Sequence, residues 1–259
     1  MKVHLDLITP FIIHVLKLVI CDKSLNWSSI LFVEDFFKDA KMIVIMNVLV
    51  IAAHPDDEVL GMGATIKKLS KQKHKIHLCV VSDGATTVKN KTKLMNQRKK
   101  ACLQSGKVLG ISTFDFLMLH DMKLDDTPQL EINLLLEKII KKYNPSIVYT
   151  TPYSDFHKDH QKIHECTLVA TRPASSNVKH VFSYEIPGTV KTTYNPTVFE
   201  DVSKEIKYKI RAFKFYSTEI KKFPHPRSIK SIENLAIHRG IESGLKVAEA
   251  FRLIHSIND

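Results

Sequence analysis

Four neighbouring side chains at positions 54–58 have the chemistry of a metal site. His54 brings an imidazole, and the carboxylates of Asp56, Asp57 and Glu58 follow it closely. The preceding run at 48–51, VLVI, is short, apolar and rich in β-branched residues, which predicts a buried β-strand. Ligands bind at the carboxyl ends of strands in an open α/β sheet. We therefore predict that His54 and Asp57 face one metal ion, with Asp56 beside it as a base.

Helix capping is the simpler explanation for part of this pattern. Acidic side chains are favoured at the start of a helix, so Asp56 and Asp57 could act only as capping residues. Capping does not require His54 as well, and this residue favours the functional interpretation.

A second group of histidines and acids lies at residues 155–165, after another predicted strand. His157, His160 and His164 have the spacing of one helix face. Any one of them alone is better explained as a surface residue of a basic protein, but two His/Asp groups after two strand ends are harder to dismiss. Two imidazoles and one carboxylate form a zinc site that keeps a position open for water, and zinc lowers the pKa of that water to about 7.

From Met46 onwards the chain alternates strand and helix signals, which predicts βαβ units and a mainly parallel sheet. Gly110 and the pair Asn144-Pro145 mark the ends of two of the helices. Two further amphipathic helices are expected at the edge of the sheet, at residues 203–216 and 229–255. The other expected elements are strands at 48–51, 76–81, 114–119, 147–150 and from 181, and helices at 63–73, 90–109 and 130–143. The predicted fold class is α/β, with one domain at residues 46–259.

Residues 1–45 are treated as an N-terminal extension of uncertain role. Their apolar run at 7–20 is broken by Pro10, His14 and Lys17 and is too short to span a bilayer comfortably, so no integral membrane span is expected. The run also lacks a convincing signal-peptide cleavage site. The extension is either a helical segment that packs on the domain or on a membrane surface, or upstream sequence included through a mistaken start codon. The second explanation is slightly favoured.

Cysteine content favours a cytoplasmic protein, whereas the basic charge favours anionic partners. The 38 Lys and Arg residues exceed the 27 Asp and Glu residues, giving a formal net charge of +11. Because the lysines are scattered as on solvated helix faces and no nucleic-acid motif is found, we expect no nucleic-acid partner. The four cysteines form no Cys-x-x-Cys pair and fit a reducing cytosol. The number of chains that assemble is left open, with a homo-oligomer among the options.

The sequence groups together resemble the LmbE-like (PIG-L) family of zinc-dependent N-acetylglucosaminyl deacetylases. The pieces around His54 and His160 are highly specific in combination, and the resemblance extends from Met46 onwards. It implies a Rossmann-like α/β fold, with a mainly parallel sheet flanked by helices. The matching pieces are Ala53-His54-Pro55-Asp56-Asp57-Glu58, Ser82-Asp83-Gly84, Arg98, Leu109-Gly110, His157-Lys158-Asp159-His160, Ala170-Thr171-Arg172-Pro173, His225-Pro226-Arg227-Ser228 and Ala248-Glu249-Ala250-Phe251.

The resemblance implies a role for each residue of the site. His54, Asp57 and His160 would hold one zinc ion per chain. Asp56 would be the general base, which takes a proton from the metal-bound water and passes it to the leaving amine. This division of work between the two adjacent aspartates agrees with the chemistry of amide hydrolysis, which needs a Lewis acid, an activated water and a proton donor.

Other residues would support the reaction or bind the substrate. His157 would stabilise the oxyanion, and Asp159 would orient an active-site histidine through its second ring nitrogen. Arg98 resembles a family arginine that contacts substrate hydroxyl or phosphate groups. Tyr184 and Tyr194 are expected near the substrate-recognition loops that follow the fifth strand.

The sequence therefore predicts a hydrolase that removes the N-acetyl group from an N-acetylglucosamine-type sugar or conjugate. It departs from the family pattern at Ala101, where an acid is usual, and at Lys158, where proline is frequent, and both changes bear on the substrate more than on the reaction. An amidase for another acylated metabolite and a non-catalytic metal- or sugar-binding protein are the alternatives. A binding protein has no need of Asp56 beside the ligands. His164 is assigned to packing or surface in preference to metal binding, and iron or cobalt could fill the same ligands as zinc.

Overall fold

One seven-stranded sheet organises the part of the chain that the computed structural model describes, residues 45–85, 90–188 and 193–258. Its strands are β1 (Asn47–Ala52), β2 (Lys75–Ser82), β3 (Thr113–Leu119), β4 (Ile147–Thr150), β5 (His180–Tyr184), β6 (Val198–Asp201) and β7 (Ala248–Ser256). They lie in the order β3-β2-β1-β4-β5-β7-β6. The first five strands pair in parallel, and β7 is antiparallel to both β5 and β6. The predicted α/β class with a mainly parallel sheet is confirmed.

The helices lie between and after these strands. They are α1 (Asp57–Lys71), α2 (Lys91–Leu109), α3 (Gln129–Tyr143), α4 (Lys158–Ala170), α5 (Ile206–Phe213) and α6 (Ile229–Ser243). Gly110 and Asn144 adopt left-handed backbone conformations at the ends of α2 and α3, as their sequence positions predicted. Helix α1 begins at Asp57, earlier than the predicted residue 63, so the acidic cluster itself forms the first turn.

Strand β1 lies at the centre of the core because helices cover both faces of the sheet. Side chains alternate between the two faces of a strand. Val48, Val50 and Ala52 belong to the apolar cluster that includes residues of α1, α2 and α5. Leu49 and Ile51 belong to the opposite cluster, with residues of α3 and α4. The strand is inaccessible to solvent from Val48 onwards. Its packing therefore fixes the position of the backbone from which the residues after it extend.

The predicted helix at 229–255 is wrong in its second half. Helix α6 ends at Ser243, where Gly244 adopts a φ of 72°, and the following residues form β7. A glycine at this position is a common helix end, and pairing with two neighbouring strands determines the conformation of the residues beyond it. Strand β6 was not predicted, and α5 is shorter than the predicted range 203–216.

Residues 1–44, which make up nearly all of the predicted N-terminal extension, lie outside the described residues. Within the described ranges, every helix falls short of the length or the apolar character that crossing a membrane requires. Cys79, predicted to be a buried thiol, is buried and free, as are Cys102 and Cys166.

Candidate metal centre

The two predicted groups of histidines and acids meet at the carboxyl ends of neighbouring strands. His54 and Asp57 follow β1, whereas His157 forms the N-cap of α4 and His160 lies in its first turn, after β4. Because β1 and β4 pair in parallel, the segments that follow them leave the sheet at the same edge. The fold therefore brings together side chains that are about a hundred residues apart in the sequence.

Nitrogen and oxygen atoms of three residues face one point between these segments. His54 Nδ1 lies 3.1 Å from His160 Nε2 and 3.4 Å from Asp57 Oδ2. The distance from His160 Nε2 to Asp57 Oδ1 is also 3.4 Å. Ligand atoms bound tetrahedrally at about 2.0–2.2 Å from zinc lie roughly 3.3 Å from one another. The spacing of the three side chains therefore fits a two-histidine, one-carboxylate metal site.

One oxygen of the Asp57 carboxylate makes no hydrogen bond among the described residues, although His160 Nε2 lies 3.4 Å from it. Asp57 is fully buried, and its Oδ2 accepts a hydrogen bond of 2.8 Å from the backbone N–H of His54. Its Oδ1 is buried with no hydrogen-bond partner among the described residues. Burial raises the pKa of Asp57, but His160 and His54 outweigh it and hold that pKa well below its ordinary value. An ionised, unsatisfied oxygen of this kind is suited to bind a cation.

Carboxylates contact the ring nitrogens of His54 and His160 that face away from the proposed metal position. His54 Nε2 lies 3.0 Å from Asp159 Oδ2 and 3.1 Å from Asp121 Oδ1. His160 Nδ1 lies 2.6 Å from Asp155 Oδ2. Burial lowers the pKa of each histidine, but the neighbouring carboxylates have a larger effect in the opposite direction. The pKa of His160 is therefore raised to about 9, and that of His54 is raised well above its ordinary value. Carboxylates on the outer nitrogens are the usual supports of metal-binding histidines, and their negative field favours a cation.

Asp159 is better suited to orient His54 than to bind a metal ion. Its Oδ2 accepts a hydrogen bond of 2.8 Å from the N–H of Met122, and its Oδ1 accepts one of 3.0 Å from the N–H of Leu124. Both oxygens of Asp159 thus accept backbone hydrogen bonds, whereas only one oxygen of Asp57 does. Within the described residues, two further groups have donor atoms within 4.8 Å of one another: His54, His157 and His160, and His54, Asp121 and Asp159.

Asp56 lies beside the three donor residues in an unusual backbone conformation. Its φ of 130° is rare for any residue other than glycine and costs about 1–3 kcal/mol. The backbone N–H of Asp56 donates a 3.1 Å hydrogen bond to Glu58 Oε2, and Arg227 Nη1 lies 3.1 Å from Asp56 Oδ2. Burial raises the pKa of Asp56 to about 7, although Arg227 acts in the opposite direction. A carboxylate with a pKa near neutrality is well matched to proton transfer.

His157 presents a hydrogen-bond donor to the cluster. Its ring centroid lies 4.5 Å from that of His54 and 4.8 Å from that of His160. Burial and the two neighbouring histidines lower the pKa of His157, which favours the neutral ring. Its Nδ1 accepts a 3.2 Å hydrogen bond from the N–H of Asp159, so the neutral ring carries its hydrogen on Nε2.

His164 lies apart from the donor atoms of the cluster. It is buried, and its Nδ1 lies 2.8 Å from the backbone carbonyl oxygen of Thr151, to which a ring N–H can donate. This contact agrees with the packing role that the sequence favoured for His164.

The two tyrosines predicted to bind substrate are buried, and backbone carbonyls engage their hydroxyl groups. The Tyr184 side chain is fully buried, and its hydroxyl donates a 2.8 Å hydrogen bond to the carbonyl of Ile51. Tyr194 is also buried, and its hydroxyl donates to the carbonyl of Ser183 at 2.8 Å. Because both hydroxyls are engaged inside the fold, we leave these residues out of the proposed substrate site.

Arg98, the third predicted substrate residue, is held by protein groups. Its Nη1 donates to the carbonyl of Gly84, and its Nη2 lies 2.5 Å from Glu219 Oε1. Its positive charge lowers the pKa of Asp56. A substrate contact for Arg98 stays a prediction.

Five supporting residues received no role from the sequence: Asp121, Asp155, Tyr216, Glu219 and Arg227. Asp155 stands two positions before His157, and this spacing could have suggested its role. Arg227 lies in a sequence piece that matches the family, although no role was assigned to it. Tyr216, whose hydroxyl donates to Glu58 Oε1 at 2.6 Å, and Glu219 carry no comparable sequence signal.

Comparison with known proteins assigns the class. The model of the family described as PIG-L, GlcNAc-PI de-N-acetylase, matches residues 49–171, which include the three donor residues and Asp56. The chain is 31% identical over 167 residues to the uncharacterized deacetylase YaiS of Escherichia coli (strain K12), covering 61% of this chain and 83% of that protein. The chain belongs to the PIG-L (LmbE-like) family of deacetylases, which are hydrolases of amide bonds. The sequence-based family prediction is confirmed.

Two further relatives have a named substrate. The diacetylchitobiose deacetylase of Thermococcus kodakarensis is 24% identical over 247 residues, covering 89% of this chain and 91% of that protein. The structure of the N,N'-diacetylchitobiose deacetylase from Pyrococcus horikoshii superimposes with a TM-score of 0.67 and 25% identity, covering 84% of this chain and 85% of that one. The likeness thus extends well beyond the segment that the family model matches.

Proposed function

We propose that this protein is a zinc-dependent deacetylase that removes the acetyl group from an N-acetylglucosamine-type sugar or conjugate. The observation that carries the proposal is the set of donor atoms of His54, Asp57 and His160 at zinc-like spacing, with Asp56 beside them. Three protein ligands and an open position are typical of catalytic zinc sites. The deacetylase domain in this proposal spans residues 46–259, with residues 1–45 as an extension and a cytoplasmic location.

His54, Asp57 and His160 would hold the zinc ion. When bound, zinc supplies a Lewis acid for the acetyl carbonyl and lowers the pKa of a water molecule from 15.7 to about 7. Asp159 and Asp121 keep the ring of His54 in place through its Nε2. Asp155 does the same for His160.

Asp56 acts as the general base in this proposal. It takes a proton from the attacking water and later gives it to the nitrogen of the leaving amine, so that acetate and a free amine are formed. The two steps leave Asp56 in its original protonation state. Asp56 lies beside the metal site because Asp57, the next residue in the sequence, is one of the proposed ligands. The carboxylate of Asp57 contacts His54 and His160.

His157 stabilises the carbonyl oxygen as negative charge develops on it. Its Nδ1 is occupied by the N–H of Asp159, so Nε2 is the donor available for this purpose. Preorganised donors of this kind commonly contribute several kcal/mol to catalysis, about 2.7–4 kcal/mol in one measured case.

The substrate class is inferred from the family and from the relatives. Two of them are diacetylchitobiose deacetylases, so N,N'-diacetylchitobiose and simple N-acetylglucosaminides are the first compounds to assay.

The test is metal analysis followed by an acetate-release assay on the full chain. We expect about one zinc per chain, acetate release from at least one N-acetylglucosaminide, loss of activity with a chelator and its return with zinc. A chain that binds no zinc even after zinc is added back would contradict the proposal. Release of acyl groups only from amides without a sugar would retain a hydrolase but contradict the substrate class.

A further inference from the structure

A line of alternating charges leads from the buried Asp56 to the partly exposed Arg98. Arg227 Nη1 lies 3.1 Å from Asp56 Oδ2 and 2.8 Å from Glu219 Oε2. The other oxygen of Glu219, Oε1, lies 2.5 Å from Arg98 Nη2. The order of charges is therefore positive, negative, positive and negative from Arg98 to Asp56, and each inner member contacts a partner on both sides.

Glu219 is the fixed member of this line. Its side chain is buried, and its Oε1 also accepts a 3.0 Å hydrogen bond from the hydroxyl of Thr218. Burial raises the pKa of Glu219, but Arg98 and Arg227 outweigh it and lower that pKa below its ordinary value. Glu219 thus remains an ionised partner for both arginines.

The backbone around Arg227 is also held in place. The N–H of Arg227 donates a 3.0 Å hydrogen bond to His225 Nδ1, and its carbonyl accepts one of 3.3 Å from the N–H of Lys221. The next residue, Ser228, caps α6 by accepting a hydrogen bond from the N–H of Ser231. The backbone of Arg227 is thus held by hydrogen bonds, and its guanidinium is held by Glu219. The guanidinium therefore has little freedom to move if the Asp56 carboxylate moves.

Asp56 needs such an anchor because its backbone is strained. The contact with Arg227 uses Oδ2, and among the described residues it leaves Oδ1 available to accept a proton. When Asp56 carries that proton during turnover, Arg227 keeps Glu219 as a charged partner. Arg227 is therefore never an unpaired cation beside the base. An unpaired charge would be costly in a partly buried site.

We propose that Arg227 is a positioning residue for the general base, holding the carboxylate of Asp56 through Oδ2 while Glu219 and Arg98 hold Arg227. This inference rests on the proposed function of Asp56. It assigns Arg227 no contact with the substrate or with the metal ion. It also gives Arg98 a structural task at the site through Glu219.

Three variants and one control test the proposal on the zinc-loaded full chain. Arg227→Met removes the charge and keeps much of the volume, Arg227→Lys restores a charge, and Glu219→Gln removes the outer partner. Arg172→Met is the control, because Arg172 forms an exposed ion pair of 2.8 Å with Glu137 away from the cluster. The readouts are kcat, KM, zinc content and the position of the Asp56 carboxylate in a crystal structure.

We expect Arg227→Met to lower kcat by about 10- to 100-fold with little change in KM, the range typical of residues that orient active-site groups. Zinc content should be unchanged, and the Asp56 carboxylate should turn away from its parental position. Arg227→Lys should recover part of kcat, Glu219→Gln should lower kcat less than Arg227→Met does, and the control should behave like the parent.

Several results would overturn the role of Arg227. A raised KM with normal kcat in Arg227→Met would make it a substrate-binding residue, and zinc loss would make it a support of the metal site. An unmoved Asp56 carboxylate in that variant would contradict positioning whatever the activity. If the parent releases no acetate from any N-acetylglucosaminide, the proposed function fails instead, and the carboxylate position still decides the question for Arg227.

Discussion

Two regions of the chain contribute to the site in different ways. Residues 49–171, which the family model matches, contain the proposed base, the proposed metal-binding residues and the carboxylates beside the two histidines. The described residues of 172–258 provide none of these. Tyr216 nevertheless contacts Glu58 and Arg227 contacts Asp56, while Glu219 holds Arg227 and Glu249 contacts helix α1 further along. The reactive groups therefore lie in short sequence groups at two strand ends. The residues that hold them in place lie far away in the sequence.

Helix α1 illustrates this dependence. It is interrupted at Met62, which has non-helical backbone angles, so the helix effectively starts again beyond that point. Glu249 of β7 accepts hydrogen bonds from the freed N–H groups of Ala64, at 3.1 Å, and Thr65, at 2.6 Å. Lys209 lies 2.6 Å from Glu249 and balances its charge in the interior. The helix that carries Asp57 is thus capped internally by the last strand of the sheet.

The largest effect is expected in the matched region, from loss of a donor atom. His160→Ala removes one of three proposed ligands and should abolish both zinc binding and acetate release. His164→Ala is the matched control on the same helix, since His164 contacts Thr151 instead, and it should keep zinc. Elemental analysis of both variants decides the matter. Full zinc content in His160→Ala would refute the proposed ligand set.

The second-largest effect is expected from loss of the proposed base, which should lower turnover without loss of zinc. Asp56→Asn keeps the shape of the side chain but cannot accept a proton, so kcat should fall by about 10²- to 10⁴-fold while zinc stays bound. Asp126→Asn, at an exposed position, should leave both quantities unchanged. Steady-state kinetics with zinc analysis measures the difference. Near-parental turnover in Asp56→Asn would show that another group takes the proton.

The smallest effect is expected in the supporting region and concerns stability. Tyr216→Phe removes the hydroxyl that donates to the buried Glu58, so the free energy of unfolding should fall by about 1–3 kcal/mol with zinc content unchanged. Tyr208→Phe, at a partly exposed position, is the control. Denaturant unfolding of the two variants provides the comparison. Equal stability of both would mean that the distant region supports the site less than its contacts suggest.

Most of the fold was predictable because its signals are local. The strand before His54, the glycine after α2 and the Asn-Pro pair after α3 each identify an element from a few neighbouring residues. The donor residues were predictable for the same reason, since each lies in a short group at a strand end. Strand β7 and the partners of Asp56 were not, because they depend on pairing and packing between distant segments. The side-chain direction of Tyr184 was not predictable either, because it depends on packing in the core.

The position of β7 has a consequence for synthesis of the protein. This strand is made after all the others, yet it lies between β5 and β6, and in the described sheet β6 has β7 as its neighbour. At about 5–20 residues per second, several seconds pass between synthesis of His160 and synthesis of Glu249. During that interval helix α1 lacks its internal cap and β6 lacks its partner. We therefore expect the metal site to become competent only once synthesis has passed β7.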